Sequence, residues 1–156
     1  GFGEEVIRRI MIGTYALSAG NKEKYYVRAA KARTMLIEDF KKSFGKVDLI
    51  ISPATPYVAF KVGEKIEDSL AMYTGDLITV PVNLAGLCAL SMPIGFSHAH
   101  GKMLPCGLQI IGKPYDEHTV LRLGYALEQA MGDEIRSKRV TMRQSLKPVR
   151  EVELVD

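Results

Sequence analysis

The sequence predicts an α/β fold, a small sheet covered by helices. Three observations carry this prediction. Segments with apolar residues at helical spacing surround short runs of strand type, the order is helix, helix, strand, loop, hairpin, helix, and neither a repeat nor a low-complexity segment interrupts it. The 156 residues, 47% of them hydrophobic, suffice for one packed domain. We therefore expect a single domain over residues 1–132 and a tail extension over 133–156.

Two helices are predicted at the beginning of the chain. Apolar residues recur at helical spacing over residues 4–19, and Gly20 follows as a helix stop. A second apolar stripe covers residues 21–44, where Asn21 can cap the first turn and Gly45 ends the last. Both segments are therefore expected to form amphipathic helices.

The middle of the chain begins with a strand and continues less regularly. Residues 47–53 are mostly apolar and β-branched, which is typical of a strand buried on both faces. Glycine and charged residues over 57–69 indicate a surface loop, and the apolar stretch 70–87 has helical or irregular character. This part of the sequence fixes the boundaries of its elements least well.

A hairpin and a last helix follow. Residues 89–96 and 106–112 look like two strands joined by a polar turn at 97–102. A helix with a broad apolar face is expected to begin at Asp116 and to break at Gly132.

Composition excludes several classes of partner. The net charge of +3, from 21 basic and 18 acidic residues, is too small to indicate nucleic-acid binding by itself. Two cysteines indicate a reduced, cytosolic protein, and no apolar run approaches the roughly 20 residues that cross a bilayer. We therefore expect a cytoplasmic protein with no membrane partner. The chain does not begin with methionine, which suggests a fragment, processing or renumbering.

Three motifs together resemble the amidase-signature family: RRIMIGTYALSAG at residues 8–20, DLITVPVNLAGL at 76–87 and GLQIIGK at 107–113. The first two are similar to the family's subunits that release ammonia from glutamine, and the similarity extends over residues 1–131. The resemblance implies the C-terminal part of the amidase-signature fold, a mixed β-sheet flanked by helices.

The resemblance also implies a catalytic mechanism. In this family a serine attacks an amide carbonyl, a second serine relays the proton, a lysine is the base, and a glycine-rich loop binds the oxyanion. All these residues lie upstream of the matched motifs in the family, and this sequence has no glycine- and serine-rich loop. We therefore predict no catalytic residue in this chain and no activity of the chain alone.

Substrate binding is what the resemblance does place in this chain. It sets Arg9 against the α-carboxylate of free glutamine and Asp76 against its α-ammonium group. A free amino acid is a zwitterion, so a pocket that selects it needs one fixed cation and one fixed anion. From the residues alone two alternatives stay open: Arg9 pairs with Glu5 one helical turn away, and Asp76 caps a helix. Residues in and next to the second motif are expected to shape the pocket wall: Tyr73, Pro81, Asn83 and Gly86.

The implied partners complete the expectation. Ammonia from glutamine would pass to amidotransferase subunits B and C, which convert misacylated Glu-tRNA(Gln) to Gln-tRNA(Gln). No cofactor or metal is expected in this chain, because no phosphate-binding glycine loop appears and Cys88 and Cys106 are interpreted as packing residues. ATP and Mg are expected on a partner subunit.

Two other functions remain open at this stage. One is an amidase-signature hydrolase of uncharged amides, which would not need a pair of charges for a zwitterion. The other is a non-catalytic binding or scaffold domain that keeps the fold without the chemistry.

Overall fold

The computed structural model describes residues 1–64 and 72–145, with side chains described up to residue 138. The helices are α1 Glu4–Leu17, α2 Arg28–Phe44, α3 Val80–Ala85 and α4 Glu117–Ser145. The strands are β1 Ile50–Pro53, β2 Cys88–Ala99 and β3 Lys102–Gly112. A π-helical turn, Glu23–Val27, precedes α2, and a 3-10 turn, Thr74–Asp76, precedes α3.

The three strands form one sheet in the order β1-β3-β2. Both pairings are antiparallel, and Ile111 of the central strand lies opposite Ile50 on β1 and Ala89 on β2. The predicted α/β class with a helix-flanked sheet is confirmed. The sheet itself differs from the mixed type predicted, since the strands in the described part of the chain pair only in the antiparallel sense.

Helices cover both faces of the sheet. On one face, Ile111 packs with Phe44 at the end of α2 and Val82 of α3. On the other, α4 lies against β2 and β3. Its Val120 is buried, and Ile110 of β3 is fully buried. Because successive strand residues point to opposite faces, Ile110 and Ile111 anchor the two sides of the core.

The strand predicted over residues 47–53 is shorter than expected, and the prediction that both of its faces are buried is wrong. β1 begins at Ile50 and its residues alternate between half-buried and exposed. Ile51 is 55% exposed although it lies opposite the buried Ile110. The reason is that α4 packs on β2 and β3, and β1 is at the edge of the sheet.

The predicted hairpin is confirmed, but it is longer than its apolar segments. Ala99 pairs with Lys102, so the loop is only His100 and Gly101. Both have positive φ, 52° and 70°, as a type I′ hairpin turn requires. The six-residue turn predicted at 97–102 is therefore wrong, because polar residues continue the strand pairing beyond the apolar part.

The sequence predicts that the last helix ends at Gly132, but this prediction is wrong. The helix continues to Ser145. A glycine within a helix costs only about 1 kcal/mol, so one position is insufficient to stop it. Ile135, one turn further, still faces the sheet side, where it lines a cavity with Leu90 of β2. Residues 133–145 of the predicted tail are thus helical, and 146–156 lie outside the described residues.

The two predicted N-terminal helices are confirmed, with changes at their joint. Asn21 does not cap α2. Its side-chain amide donates to Ser18 Oγ at 3.1 Å, and the π-helical turn leads into α2.

The structure does not describe residues 65–71, where the predicted loop and apolar stretch meet. In the described part of the chain, no helix combines the length and apolar character needed to cross a membrane.

Candidate functional site

The first group of charges lies on one face of α1. Residues three and four positions apart are neighbours on a helix surface, which brings Glu5 next to Arg8 and Arg9. Arg9 Nε donates to Glu5 Oε1 at 2.9 Å, and Arg8 Nη1 donates to Glu5 Oε2 at 2.8 Å. Glu5 thus holds the guanidinium group of Arg9 in one orientation.

Tyr73 joins α1 to the segment that contains Asp76. Its hydroxyl donates to Glu5 Oε1 at 2.9 Å, across 68 residues of sequence. The guanidinium carbon of Arg9 lies 4.3 Å from the centre of the Tyr73 ring, a cation–π contact. One aromatic side chain therefore contacts both members of the Glu5–Arg9 ion pair.

These contacts shift the pKa values of both charged partners. The pKa of Glu5 is lowered, first by the hydrogen bond from Arg9 and then by the one from Tyr73. The pKa of Arg9 is raised, first by the hydrogen bond to Glu5, while partial desolvation opposes this shift. The charge of Asp76 raises the pKa of Arg9 as well, as the smallest of the causes.

Asp76 is the last residue of the 3-10 turn and is exposed. Its backbone carbonyl accepts hydrogen bonds from Thr79, from the backbone N–H at 3.2 Å and from Oγ1 at 3.4 Å. The N-cap residues are Tyr73 for the 3-10 turn and Thr79 for α3, and among the described residues neither makes a side-chain cap hydrogen bond, so the helix-cap alternative for Asp76 is wrong. Its carboxylate is exposed on the side of the molecule where Tyr73 meets Arg9, and it makes no ion pair within the described part of the chain.

Two further contacts hold the 3-10 turn that carries Asp76. Gly75 lies so close to Tyr57 that a Cβ added there would be 2.7 Å from the tyrosine hydroxyl oxygen. Two residues beyond Asp76, the carbonyl of Ile78 accepts a hydrogen bond from Gln109 Nε2 at 3.3 Å. The Asp76 turn is thus held at Tyr73, at Gly75 and at Ile78.

The structure brings the two predicted ligands, Arg9 and Asp76, to the same region of the surface. It also shows the ion pair between Arg9 and Glu5 that the alternative interpretation of the sequence describes. The two arrangements are compatible, because in the described part of the chain Nη1 and Nη2 of Arg9 make no hydrogen bond. The role of the pair in binding glutamine stays a prediction.

Residues that the sequence suggested as a pocket wall have mixed outcomes. Tyr73 reaches the site, whereas Asn83 donates to the Thr79 carbonyl at 2.9 Å and Gly86 ends α3 with φ of 69°. Gln109 was missed. Its position in the motif GLQIIGK gives no local signal for a contact with a carbonyl 31 residues away.

Arg9 and Asp76 line none of the four described cavities. The largest, 530 Å³, lies between β2 and α4 and is mostly apolar. Arg9 retains 56% of its side-chain exposure. The described residues thus place the pair on an open surface, which can form one side of a binding site.

The chain also matches a known protein family. Residues 1–121 match the family model described as Amidase. Because this match covers more than half of the chain, the chain belongs to the Amidase family.

Curated relatives give a more particular similarity. The chain is 56% identical to the A subunit of the glutamyl-tRNA(Gln) amidotransferase of Geobacter metallireducens over 130 residues, 83% of this chain. It is 58% identical to the protein of the same name from Thermodesulfovibrio yellowstonii, also over 130 residues. The chain spans 26% of the length of each of these two relatives.

A solved structure supports the fold. It comes from a study of a vestigial protein complex and the evolutionary origins of an s-triazine catabolic enzyme. The match has a TM-score of 0.66 and 26% sequence identity, and it covers 84% of this chain and 28% of that one.

Proposed function

We propose that this chain forms the glutamine-holding side of the active site in the glutaminase subunit of a glutamyl-tRNA(Gln) amidotransferase. Arg9 binds the α-carboxylate of glutamine and Asp76 binds its α-ammonium group. The observation that carries the proposal is that Tyr73, three residues before Asp76, contacts both Glu5 and Arg9 and so brings two opposite charges, 67 positions apart in the sequence, to one surface. The identity to the two amidotransferase relatives supports the same function.

The orientation of Arg9 suits a carboxylate ligand. Glu5 occupies Nε and the Tyr73 ring lies against the guanidinium carbon, so the edge formed by Nη1 and Nη2 remains for a bidentate contact. A flexible cation would lose more side-chain entropy on binding than one already held in place. Glu5 and Tyr73 therefore prepare Arg9 for the substrate.

The reaction itself needs residues that we place outside this chain. A serine, a second serine and a lysine hydrolyse the side-chain amide of glutamine to give glutamate and ammonia. Amidotransferase subunits B and C then use the ammonia to convert Glu-tRNA(Gln) to Gln-tRNA(Gln), with ATP and Mg on a partner subunit. The chain alone is inactive in this scheme.

The free cysteines Cys88 and Cys106 fit a reducing compartment, the cytoplasm.

Two truncated substrates test the assignment in the complete subunit that carries this chain. The first, 4-aminobutanamide, lacks the α-carboxylate, and the second, 4-carbamoylbutanoate, lacks the α-ammonium. We expect Arg9→Ala to raise the KM for glutamine about 100-fold and to leave the KM for 4-aminobutanamide within about twofold. Asp76→Asn should raise the KM for glutamine at least about tenfold and leave that for 4-carbamoylbutanoate within about twofold.

Matched control variants separate binding from general surface charge. Arg122 is exposed on α4, and Asp48 is an exposed carboxylate 3.5 Å from Lys113. Arg122→Ala and Asp48→Asn should leave each KM within about twofold. If Arg9→Ala and Asp76→Asn behave like these controls, the charge pair does not bind glutamine. A complete subunit that prefers uncharged amides to glutamine would identify the alternative hydrolase.

A further inference from the structure

Gln109 is a polar side chain inside the core. It is 5% exposed and lies on the central strand β3, opposite Ser52 of β1 and Ser91 of β2. A buried amide is stable only when its polar atoms are hydrogen-bonded. Its Nε2 donates to Ser52 Oγ at 3.4 Å and to the Ile78 carbonyl at 3.3 Å. The buried amide therefore joins the sheet to a segment outside it.

The bond to Ile78 connects Gln109 to the candidate site. Ile78 follows Asp76 by two residues, in a segment that pairs with no strand and is held locally by bonds of the kind Leu77 N–H to Thr74 O at 3.3 Å. Such a short turn has little stiffness of its own. The position of the turn relative to the sheet therefore depends on its tertiary contacts.

The two ends of the turn are held by different parts of the fold. Tyr73 connects the beginning of the turn to Glu5 and hence to α1, which carries Arg9. Gln109 connects its end to the central strand of the sheet. Besides the close approach of Gly75 to Tyr57, the separation between the Asp76 carboxylate and the Arg9 guanidinium thus depends on one anchor on α1 and one in the core.

We infer that Gln109 is a positioning residue for the bound amino acid. Its side-chain amide holds the Asp76 turn in the position where Asp76 and Arg9 can bind the two ends of one glutamine backbone. This inference rests on the proposed function. Gln109 touches no substrate in this scheme. It acts through Asp76, so its loss affects the recognition of the α-ammonium group.

The test is a KM measurement with two substrates on the complete subunit. Gln109→Met removes the donor and keeps a similar volume. We expect it to raise the KM for glutamine about tenfold, to leave kcat within about twofold, and to leave the KM for 4-carbamoylbutanoate unchanged. Ser91→Ala, opposite Gln109 on β2, is the matched control and should leave each KM within about twofold.

Gln109→Glu gives a result that a merely structural role would not. An ionised carboxylate cannot donate to the Ile78 carbonyl, whereas a protonated one can. Burial disfavours the charged form, so the protonated state extends above the usual pH range of glutamate. The KM of this variant for glutamine, divided by the wild-type KM at each pH, should fall toward one as the pH is lowered.

The outcomes are distinguishable. If the wild-type enzyme does not prefer glutamine to 4-carbamoylbutanoate, the proposed function fails, and this inference fails with it. If the wild type has that preference and Gln109→Met keeps it, only the positioning role is overturned. If Gln109→Met does not fold, the pH dependence of Gln109→Glu decides, and a flat ratio overturns the inference.

Discussion

The sheet with α4 and the surface with Arg9 are built in opposite ways. In the sheet, Ile110 is fully buried and Val120 of α4 is 3% exposed. In contrast, α1 buries no residue, and its Met11 is 66% exposed. The first region is held by apolar packing and the second by a few polar contacts between distant residues. We therefore expect stability and substrate binding to respond to different mutations.

The largest expected effect is the loss of a core side chain on β3. Ile110→Ala removes a fully buried side chain and should lower the free energy of unfolding by about 3–4 kcal/mol. Its neighbour across the strand pair, Ile51, is more than half exposed, so Ile51→Ala should cost less than about 1 kcal/mol. Urea denaturation measures both values. Equal losses would show that the edge strand belongs to the core.

The packing of α4 on β2 predicts that alanine substitutions at two glycines of this helix change the free energy of unfolding in opposite directions. A Cβ at Gly124 would collide with Leu90, whereas Gly132 has open space around it. Gly132→Ala should raise the free energy of unfolding by up to about 1 kcal/mol, through helix propensity alone. Gly124→Ala should lower it by about 1 kcal/mol, because overpacking exceeds that gain. Thermal unfolding of the two variants provides the comparison, and stabilisation by both would contradict close packing at Gly124.

The smallest expected effect concerns the charges around Glu5. Its pKa is lowered, so the stabilisation it provides is complete above the ordinary pKa of glutamate and is lost as the pH falls through the lowered value. An NMR titration of the Glu5 carboxyl carbon measures this pKa directly. Arg9→Ala should raise it more than Tyr73→Phe does, because the hydrogen bond from Arg9 is the larger cause. The reverse order would show that Tyr73 is the main partner of Glu5.

Local patterns predicted the elements better than their surroundings. The amphipathic repeat located α1 and α2, and the alternation of two apolar segments located the hairpin. The errors came from the neighbourhood of each element. The burial of Ile51 depends on how far α4 reaches across the sheet, and the continuation of α4 past Gly132 depends on packing further along that helix.

The candidate site divides in the same way. The pairing of Glu5 with Arg9 follows from helical spacing, and the family resemblance selected Arg9 and Asp76. The contacts of Tyr73 with Glu5 and of Gln109 with Ile78 have no counterpart in any local pattern, since they join residues 68 and 31 positions apart. Together with the close approach of Gly75 to Tyr57, these contacts hold the turn that carries Asp76.

By itself, the sequence determined the types of its elements and which charged residues are available, because periodicity and spacing are properties of neighbouring residues. Only the tertiary structure decided which charges meet. A hydrogen bond such as that from Tyr73 to Glu5 depends on how a turn docks against a helix. That docking depends in turn on the sheet, through the buried amide of Gln109.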